Sequence, residues 1–542
     1  MRSTMMDLPL SVQMILRHGA RIHANSRVGT FDGAAFAYAR FAEVARRAER
    51  LASALASLEV RQGARVATYC WNHQHHLEAY LAVPSMGAVL HTLNIRLFPE
   101  QVAGVMDHAG DDVLIIDGSL LAQVAGVLPD IRSLRHVIVV GETATEVPPG
   151  HFRLHRYAEL LAAGAERFPW PTVDERDAAV VCYTSGTTGS PKGVVYSHRS
   201  VFLHTLATLG KDTFGICQAD RILLLPSMFH ANAWGLPYSA WFSGADLLLP
   251  GPHLKSTDIR VIIEQQRPTF TAMVPTLIND LLVADRQVPM DMSCFRVLVS
   301  GGSAVSPALI TRVRERWGVP VLQGWGMTET SPMCCLSIPP RSASTDEEAE
   351  WRSKSGRPVP GMEVRIVGTD DRPLPEDGST VGDLQLRGPW VTAGYHDHPA
   401  PESFSPDGWL RTGDVGTIDA QGYVQITDRT KDVIKSGGEW VSSLELENKL
   451  AGFPGVREVG VIGIPDPRWE ERPLVFLVCD PQQATVAPQA IRDHLSPLVA
   501  RIAVPENFAF LTELPKTSVG KIDKVALRRL FATGKVDVVR VK

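Results

Sequence analysis

Apolar residues in the first half of the chain recur with two alternating spacings. Between Phe41 and Leu55 they fall at every third or fourth position, on one face of a helix. Short apolar runs at Arg65–Tyr69 and Val113–Asp117 are typical of buried strands, and Pro99–His108 again has helical spacing. Strands separated by helices favour parallel pairing with helical crossovers, so the pattern predicts layers of α/β structure.

The same alternation continues to about residue 331. It predicts a helix at Leu77–Val83 and strands at Val89–Leu93, His136–Val140, Ile222–Leu225, Asp246–Leu249 and Val297–Val299.

The pattern changes near Gly361, where short strand-like segments such as Val364–Val367 alternate with Gly, Pro and Asp turns. This predicts a β-rich subdomain over about residues 360–430, followed by a mixed α+β pattern. The acidic stretch Pro339–Trp351 is predicted to be an exposed loop. The predicted fold is α/β plus α+β, with a large N-terminal domain over residues 1–430 and a small C-terminal domain over residues 431–542.

Composition narrows the functional classes. Hydrophobic residues make up 44% and charged residues 21%, which is ordinary for a globular protein, and the net charge of −5 makes nucleic acid a poor partner. The seven cysteines form no CxxC pair, which disfavours a disulfide framework or a zinc site and favours a reducing compartment. The sequence lacks a run of ~18 apolar residues, so it predicts no transmembrane helix. Peripheral membrane contact stays open.

The densest chemical signal is the stretch Tyr183–Gly193, which reads YTSGTTGSPKG. Small residues let backbone N–H groups approach a polyphosphate, hydroxyls can bind phosphate or magnesium, and Lys192 adds a cation. The strand-like Ala178–Tyr183 places the stretch where α/β sheets bind ligands. Pro191 and Gly193 break the P-loop pattern GxxxxGK[ST]. Taken alone, the stretch could also be a surface turn.

This stretch resembles the phosphate-loop signature of the adenylate-forming superfamily, which includes acyl-CoA synthetases, peptide-synthetase adenylation domains and luciferases. The resemblance continues in order along the chain. It implies an adenylation domain of α/β layers with a β-rich subdomain, a small mobile C-terminal lid, and a reaction that uses ATP, Mg²⁺ and coenzyme A. Thr184 and Glu329 are the implied magnesium ligands.

Two further segments resemble nucleotide motifs of that superfamily. In Gln323–Thr330, Trp325 offers a flat face to adenine, Thr328 can bond the α-phosphate, and Glu329 supplies the hard oxygen that magnesium prefers. In Gly408–Asp414, the carboxylate of Asp414 is implied to accept hydrogen bonds from the ribose hydroxyls.

The C-terminal part resembles the superfamily's lid. Arg429 is implied to contact ribose or phosphate, and Lys431 aligns with the hinge. Lys521, in the last signature, is the implied adenylation lysine: carboxylate attack on a phosphate builds negative charge, which a delivered ammonium stabilises.

The candidate residues are as follows. Nucleotide binding is implied for Thr184, Ser185, Gly186, Thr187, Thr188, Lys192, Gly302, Gln323, Gly324, Trp325, Thr328, Asp414, Arg429, Lys435 and Lys521. Acyl or CoA binding is implied for His230, Trp234, Val274, Gly301, Gly437, Gly438 and Trp440. Catalytic roles are implied for Lys521, Thr328, Glu329 and His230.

The segment Met228–Gly235 bears on the acid that is activated. Amino-acid-activating relatives carry an Asp here that pairs with the substrate ammonium. This chain has His230, and because an unpaired buried ammonium is costly, an amino acid is disfavoured. The segment resembles bacterial medium- and long-chain fatty-acyl-CoA synthetases, whose Trp, here Trp234, gates the acyl tunnel. It resembles 3-methylthiopropionate ligases equally well.

We therefore expect an acid–thiol ligase that converts an apolar carboxylic acid, a medium- or long-chain fatty acid, to acyl-CoA through an acyl-adenylate, releasing AMP and pyrophosphate. Two alternatives stay open: 3-methylthiopropionate as the acid, and a free-standing enzyme that loads a carrier protein. The resemblance to fatty-acyl synthetases also implies a homodimer, and the reducing compartment that the cysteines favour points to the cytoplasm.

Overall fold

The structure is a computed structural model that describes residues 1, 3–184, 191–398, 400–436, 439–480, 486–517 and 521–541. The description of the strand at Glu439–Val441 does not extend to the Trp440 side chain. The candidate binding residues Ser185, Gly186, Thr187, Thr188, Gly437 and Gly438 lie outside the described residues.

The chain begins with a helix and a hairpin. Helix α1 (Val12–Ile22) is capped by Ser11, whose hydroxyl accepts a hydrogen bond from the Met14 N–H. Strands β1 (Arg27–Phe31) and β2 (Phe36–Arg40) pair antiparallel, and α2 (Phe41–Ser57) follows. The predicted apolar face of α2 is buried, which confirms that helix.

The first sheet contains the predicted parallel strands. Its elements and their connections are β3 (Arg65–Tyr69), α3 (Gln74–Ser85), β4 (Val89–Thr92), α4 (Pro99–Ala109), β5 (Val113–Asp117), α5 (Leu121–Val124), a 3₁₀ helix (Ala125–Asp130), β6 (His136–Val140), β7 (Arg153–Arg156), α6 (Tyr157–Ala163), β8 (Ala178–Tyr183) and β9 (Gly193–Ser197). The strand order is β7-β6-β5-β3-β4-β8-β9, parallel except at β8–β9. The central strand β5 is buried on both faces, as parallel strands under helices are.

The second sheet takes in the opening hairpin. After α7 (His198–Leu209), its elements are β10 (Arg221–Leu223), a 3₁₀ helix (Ala231–Gly235), α8 (Leu236–Ser243), β11 (Asp246–Leu249), α9 (Ser256–Gln266), β12 (Phe270–Met273), α10 (Pro275–Gln287), β13 (Val297–Ser300), α11 (Pro307–Trp317), β14 (Val321–Trp325), a 3₁₀ turn (Thr328–Thr330), β15 (Cys335–Leu336), α12 (Glu348–Ser353) and β16 (Arg357–Pro358). The strand order is β16-β15-β14-β13-β12-β10-β11-β1-β2.

Helix α12 corrects one prediction. The stretch Pro339–Trp351 was expected to be a loop, but a short helix begins within it at Glu348. The Arg352 Nε donates to Glu348 Oε1 at 2.7 Å, one helical turn away, and the Lys354 ammonium lies 4.2 Å from the Trp351 ring centre. These contacts stabilise a turn whose acidic composition by itself indicated a loop.

Two antiparallel-rich sheets complete the chain. The third contains β17 (Glu363–Val367), β18 (Gly382–Arg387), a 3₁₀ turn (Pro401–Ser403), β19 (Leu410–Ile418) and β20 (Val424–Arg429). The fourth, with its helices, contains β21 (Ile434–Ser436), β22 (Glu439–Val441), α13 (Ser443–Leu450), β23 (Val456–Asp466), β24 (Glu470–Cys479), α14 (Pro488–Leu495), a 3₁₀ turn (Arg501–Ala503), β25 (Asn507–Phe510), α15 (Lys524–Ala532) and β26 (Val538–Arg540).

This architecture confirms the predicted fold class, a large N-terminal domain of α/β layers with a small α+β domain after it. Among the helices of the described residues, none has the length and apolar character that crossing a bilayer requires.

The helices α1, α2 and α8 meet around one fully buried indole, that of Trp241. Its ring stacks on Phe41 with a 4.3 Å centroid distance, and its Nε1–H donates to the Leu16 carbonyl at 3.1 Å. A methyl group added at Gly19 would lie 2.3 Å from the Trp241 Nε1, so α1 approaches α8 closely at a glycine. The indole therefore packs α8 against α1 and α2.

We expect Trp241→Ala to lower the free energy of unfolding by about 3–5 kcal/mol, because it leaves a cavity and removes the partner of a buried carbonyl. Urea unfolding followed by circular dichroism measures the change. Leu154→Ala is the control, since that side chain is 55% exposed and its loss should change stability by less than about 0.5 kcal/mol. Equal losses for the two variants would contradict the proposed packing role.

Candidate active site

The site begins at the carboxyl end of β8, in the interior of the first sheet. The Thr184 N–H donates to the Lys192 carbonyl at 2.9 Å, and the Lys192 N–H donates to Thr184 Oγ1 at 3.1 Å. These two bonds join the residues on either side of the predicted phosphate loop. Because β8 is buried, they also hold both residues at the carboxyl ends of the strands, where α/β folds bind ligands.

Lys192 and Glu329 meet through one tyrosine. The Lys192 ammonium lies 4.9 Å from the Tyr395 ring centre, and 3.7 Å from a carboxylate oxygen of Glu402. The Tyr395 hydroxyl donates to Glu329 Oε1 at 2.8 Å. The predicted phosphate-binding cation and the predicted magnesium ligand are thus linked by a residue that the sequence did not single out.

The turn that carries Thr328 and Glu329 is held from two sides. The Tyr196 hydroxyl donates to the Thr328 carbonyl at 2.6 Å, and the Thr392 N–H donates to the Glu329 carbonyl at 2.8 Å. Burial raises the pKa of the Glu329 carboxyl, while the Tyr395 hydrogen bond opposes the rise. A carboxylate destabilised in this way gains from a cation placed beside it.

The surroundings of Glu329 fit magnesium. Thr184 supplies a hydroxyl in the same cavity, and hard oxygen ligands suit this ion. No cluster of three His, Cys, Asp or Glu side chains able to hold a metal occurs among the described residues. Magnesium typically takes one or two carboxylates and completes its shell with substrate phosphates and water, so one carboxylate is sufficient here.

Trp325 and Arg429 share a single carboxylate, that of Asp414. The indole Nε1–H donates to Asp414 Oδ2 at 3.0 Å, and the Arg429 Nε lies 2.8 Å from Asp414 Oδ1. Asp414 is buried, and its two oxygens bring β14, β19 and β20 together. Three residues predicted from separate motifs therefore lie in direct contact.

Lys521 enters this group from the small domain. Its side chain is half-buried, and a methyl group added at Gly302 would lie 3.5 Å from the Lys521 Cε. Burial, reinforced by Arg429, lowers the Lys521 pKa to about 8, while Asp414 and Glu329 oppose the shift. The ammonium thus lies close to the predicted nucleotide-binding side chains.

Most side chains at the acyl end are apolar. Burial lowers the pKa of His230 to about 4, and Lys521 and Arg96 contribute in the same direction, so the ring is neutral at physiological pH. The Trp234 ring lies over Gly301, where an added methyl group would approach its Cη2 to 3.1 Å. Apolar side chains in the wall of this cavity include Phe214, Leu225, Phe229, Met273, Val274 and Leu277.

An unusual backbone turn positions Trp234. Ala231, Asn232, Ala233 and Trp234 have φ angles of 43°, 55°, 49° and 59°, and Gly235 continues the left-handed run at 75°. Positive φ is costly for a residue as bulky as tryptophan. The turn therefore needs support from its surroundings, and it sets the direction of the indole.

Two cavities contain the candidate residues. The first, of about 990 Å³, is lined by Thr184, Lys192, His230, Trp234, Val274, Gly301, Gly302, Gly324, Trp325, Thr328, Glu329, Arg429, Lys431 and Lys521. The second, of about 1750 Å³, lies between the domains and includes Gln323 and Asp414. Asp280 lines both, and burial raises the pKa of its carboxyl while Lys516 opposes the shift. An acidic side chain therefore does border the acyl cavity, which the local sequence around His230 did not indicate.

Lys435 is the exception among the described candidates. It is exposed on β21, where its backbone N–H donates to Glu471 at 2.9 Å, and it is absent from the described residues that line either cavity. In this arrangement of the domains, the structure does not bring Lys435 to the site.

Residues 24–396 match the family described as AMP-binding enzyme, and residues 445–521 match the AMP-binding enzyme C-terminal domain. The first match alone spans more than half of the chain. The protein is an AMP-binding enzyme.

Relatives of this AMP-binding enzyme match almost end to end. It is 41% identical to the long-chain-fatty-acid–CoA ligase of Thermus thermophilus, over 98% of this chain and 97% of that protein. It is 39% identical to the 3-methylmercaptopropionyl-CoA ligase of Ruegeria lacuscaerulensis, over 98% and 99% respectively. The crystal structure of the anthranilate CoA ligase AuaEII in complex with anthranoyl-AMP matches with a TM-score of 0.88 at 27% identity, covering 99% of this chain and 100% of that one. The predicted superfamily and acid–thiol ligase class are confirmed.

The sequence alone missed Tyr395, Tyr196 and Arg96 in this AMP-binding enzyme. Arg96 lines the first cavity and contributes to the lowered pKa of His230. The two tyrosines form hydrogen bonds with the Thr328–Glu329 turn. The sequence signal for Tyr395 was weak. This aromatic residue lies in a Gly-, His- and Pro-rich turn, and its spacing from other residues matches no functional motif.

We expect Tyr395→Phe to raise the magnesium concentration needed for half-maximal activity by roughly tenfold, because Glu329 loses a charge-assisted hydrogen bond that orients it. Magnesium titration of AMP formation measures this. The matched control is Tyr423→Phe, which removes the 2.6 Å hydrogen bond from a tyrosine hydroxyl to the Ile338 carbonyl, away from Glu329. The same magnesium response in both variants would count against a positioning role for Tyr395.

Proposed function

We propose that this AMP-binding enzyme converts a medium- or long-chain fatty acid to its acyl-CoA through an acyl-adenylate. The observation that carries the proposal is the apolar cavity wall, formed by Phe229, Met273 and Leu277 among others, beside a neutral His230 and next to the nucleotide residues. An apolar chain is favoured there because it buries carbon without stranding a charge. The 41% identical relative from Thermus thermophilus, a long-chain-fatty-acid–CoA ligase, supports the same assignment.

The second candidate acid is 3-methylthiopropionate. The observation that favours it is the 39% identity to a 3-methylmercaptopropionyl-CoA ligase over 98% of the chain. This acid is also unbranched and uncharged beyond its carboxylate, so the same apolar wall suits it. The two candidates differ in length, which a substrate panel resolves directly.

The proposed roles follow from charge. The acid's carboxylate attacks the ATP α-phosphate and pyrophosphate leaves, so negative charge accumulates where Lys521 reaches. The Lys521 ammonium, held beside Gly302, stabilises that charge. Asp414 accepts hydrogen bonds from the ribose hydroxyls, and Trp325, fixed by its bond to Asp414, presents its ring to adenine. Magnesium, held by Glu329 and Thr184, would neutralise phosphate charge.

For thioester formation, we propose that the small domain, residues 431–542, turns about Lys431 and withdraws Lys521 so that the CoA thiol reaches the acyl-adenylate. Contacts that cross this hinge must then break. Asp428, before the hinge, accepts hydrogen bonds from the Ser443 N–H at 2.6 Å and from the Ser443 hydroxyl at 2.7 Å. Asp414 would likewise remain with the large domain as Lys521 leaves.

We also propose a cytoplasmic homodimer. The resemblance to fatty-acyl-CoA synthetases supports the dimer, and the free cysteines suit a reducing compartment. Peripheral membrane contact and loading of a carrier protein are further proposals. Light scattering measures the oligomeric state, and vesicle flotation measures membrane contact.

The test of the proposed function is AMP formation from octanoate, palmitate and 3-methylthiopropionate. We expect product only when ATP–magnesium and CoA are both present, with the fatty acids preferred. Preference for 3-methylthiopropionate would replace the first candidate with the second. Failure with all three acids, by folded protein that binds ATP, would overturn the apolar-acid assignment.

The rate of adenylation should fall as the pH rises through about 8, because Lys521 is charged below its pKa and neutral above it. ATP–pyrophosphate exchange measures this half-reaction alone. In Lys521→Arg the guanidinium stays protonated, so the alkaline fall should disappear even if the rate is lower. Lys521→Ala should slow exchange by about 10²–10³-fold. The control is Lys535→Ala, which removes an exposed lysine of the same domain. An alkaline fall that persists unchanged in Lys521→Arg would assign it to another group.

A further inference from the structure

Two consecutive cysteines lie directly beside the nucleotide end of the site. The Sγ atoms of Cys334 and Cys335 are 3.7 Å apart, and both residues are fully buried. In a regular strand, neighbouring side chains point to opposite faces. Here Cys335 is the first residue of β15 while Cys334 precedes the strand, and the two sulfurs approach each other. The chain thus holds a preformed pair of thiols.

This pair is bonded to the strand that carries Trp325. The Cys334 N–H donates to the Trp325 carbonyl at 3.0 Å, and Cys335 is the register partner of Trp325 in the β14–β15 ladder. Cys335 also lines the first cavity, together with Gly324 and Trp325. A change at the thiols therefore reaches the indole proposed to face adenine, and it does so at the wall of the cavity that Cys335 lines.

The chemistry of the pair favours chelation over simple alkylation. Burial raises the pKa of the Cys335 thiol, and the neighbouring Cys334 raises it further. A thiol kept protonated is a poor nucleophile toward reagents that need a thiolate. An uncharged, soft centre that condenses with two neutral thiols is not limited in this way, and sulfur ligands select soft partners.

We propose that Cys334 and Cys335 form a dithiol site for a trivalent arsenical, and that occupation of this site blocks the nucleotide end of the cavity. With arsenous acid, two As–O bonds break and two As–S bonds form. The two thiol protons leave with the two displaced hydroxides as two molecules of water, and one hydroxide stays on arsenic. Arsenic remains trivalent, so the step needs neither an oxidant nor a reductant.

The other cysteines provide internal comparisons. Cys217 is exposed, and Cys70 and Cys182 are buried elsewhere in the fold. Cys217 can meet a reagent freely, but without a neighbouring thiol it offers a single sulfur. Dithiol chelation should therefore discriminate against Cys217 although its exposure is greater.

Arsenite binding to the purified, reduced full-length protein tests the proposal. We expect one arsenic per chain by elemental analysis, and two sulfur neighbours per arsenic by X-ray absorption. Dithiothreitol should remove the arsenic, whereas 2-mercaptoethanol at the same thiol concentration should not. ATP–magnesium at about ten times its own dissociation constant should weaken arsenite binding about tenfold, because the two compete.

Variants locate the site. Cys334→Ala should lose the bound arsenic, and Cys217→Ala, the matched control, should keep it. Circular dichroism checks that each variant is folded, and the X-ray absorption of the unmutated protein stands if Cys334→Ala does not fold. Full arsenic binding by folded Cys334→Ala, three sulfur neighbours, or lack of binding at saturating arsenite would each overturn the proposal. Binding that ATP–magnesium leaves unchanged would overturn the claimed block. These readouts are independent of which acid the enzyme activates.

Discussion

In this arrangement of the two domains, the Lys521 ammonium is largely withdrawn from water. A lysine side chain taken out of water loses its hydration, and the pKa of Lys521, lowered to about 8, reflects that cost. Asp414 and Glu329 compensate part of it, while Arg429 opposes them. The closed position of the small domain is therefore linked to the charge inside the cavity. In the proposed reaction, substrate phosphates would add negative charge beside Lys521 and stabilise this arrangement, and their departure as pyrophosphate would weaken it.

The residues around Lys521 form a continuous set of polar contacts. Asp414 holds Trp325 with one oxygen and Arg429 with the other, so the loss of either partner leaves one oxygen of a buried carboxylate without that contact. On the other side of the cavity, Tyr395 connects Glu329 to Lys192. Buried polar groups of this kind are stable only when each has its partner, and the pairing fixes the geometry of the side chains proposed to bind polyphosphate and magnesium.

At the acyl end, backbone conformation and side-chain size determine the geometry instead of polar contacts. The left-handed turn before Gly235 costs conformational energy at Asn232 and Trp234, and the fold retains it because it aims the indole across Gly301. The absence of a side chain at Gly301 leaves room for that ring. Strain in the backbone and the missing Cβ at Gly301, the residue after β13, thus decide the shape of the cavity beside Trp234.

Sequence by itself determined the elements whose signal is local. The spacing of apolar residues over Phe41–Leu55 and the buried run at Val113–Asp117 are enough to define a helix and a strand, because burial and backbone hydrogen bonding act within a few residues. The glycine- and hydroxyl-rich stretch Tyr183–Gly193 likewise indicated a polyphosphate site, because all the residues that carry this signal are close together in the sequence. The helix beginning at Glu348 was missed because an ion pair and a cation–π contact outweigh its loop-like composition.

Only the tertiary structure decided which side chains meet. Tyr395 reaches a glutamate 66 positions earlier, and the Trp325 partner Asp414 lies 89 positions later. The exposure of Lys435, the direction of Trp234 and the approach of Cys334 to Cys335 likewise have no periodic signal. Contacts between residues so far apart in the sequence form only when the sheets and domains pack together. The packing of the whole core therefore determines which side chains meet.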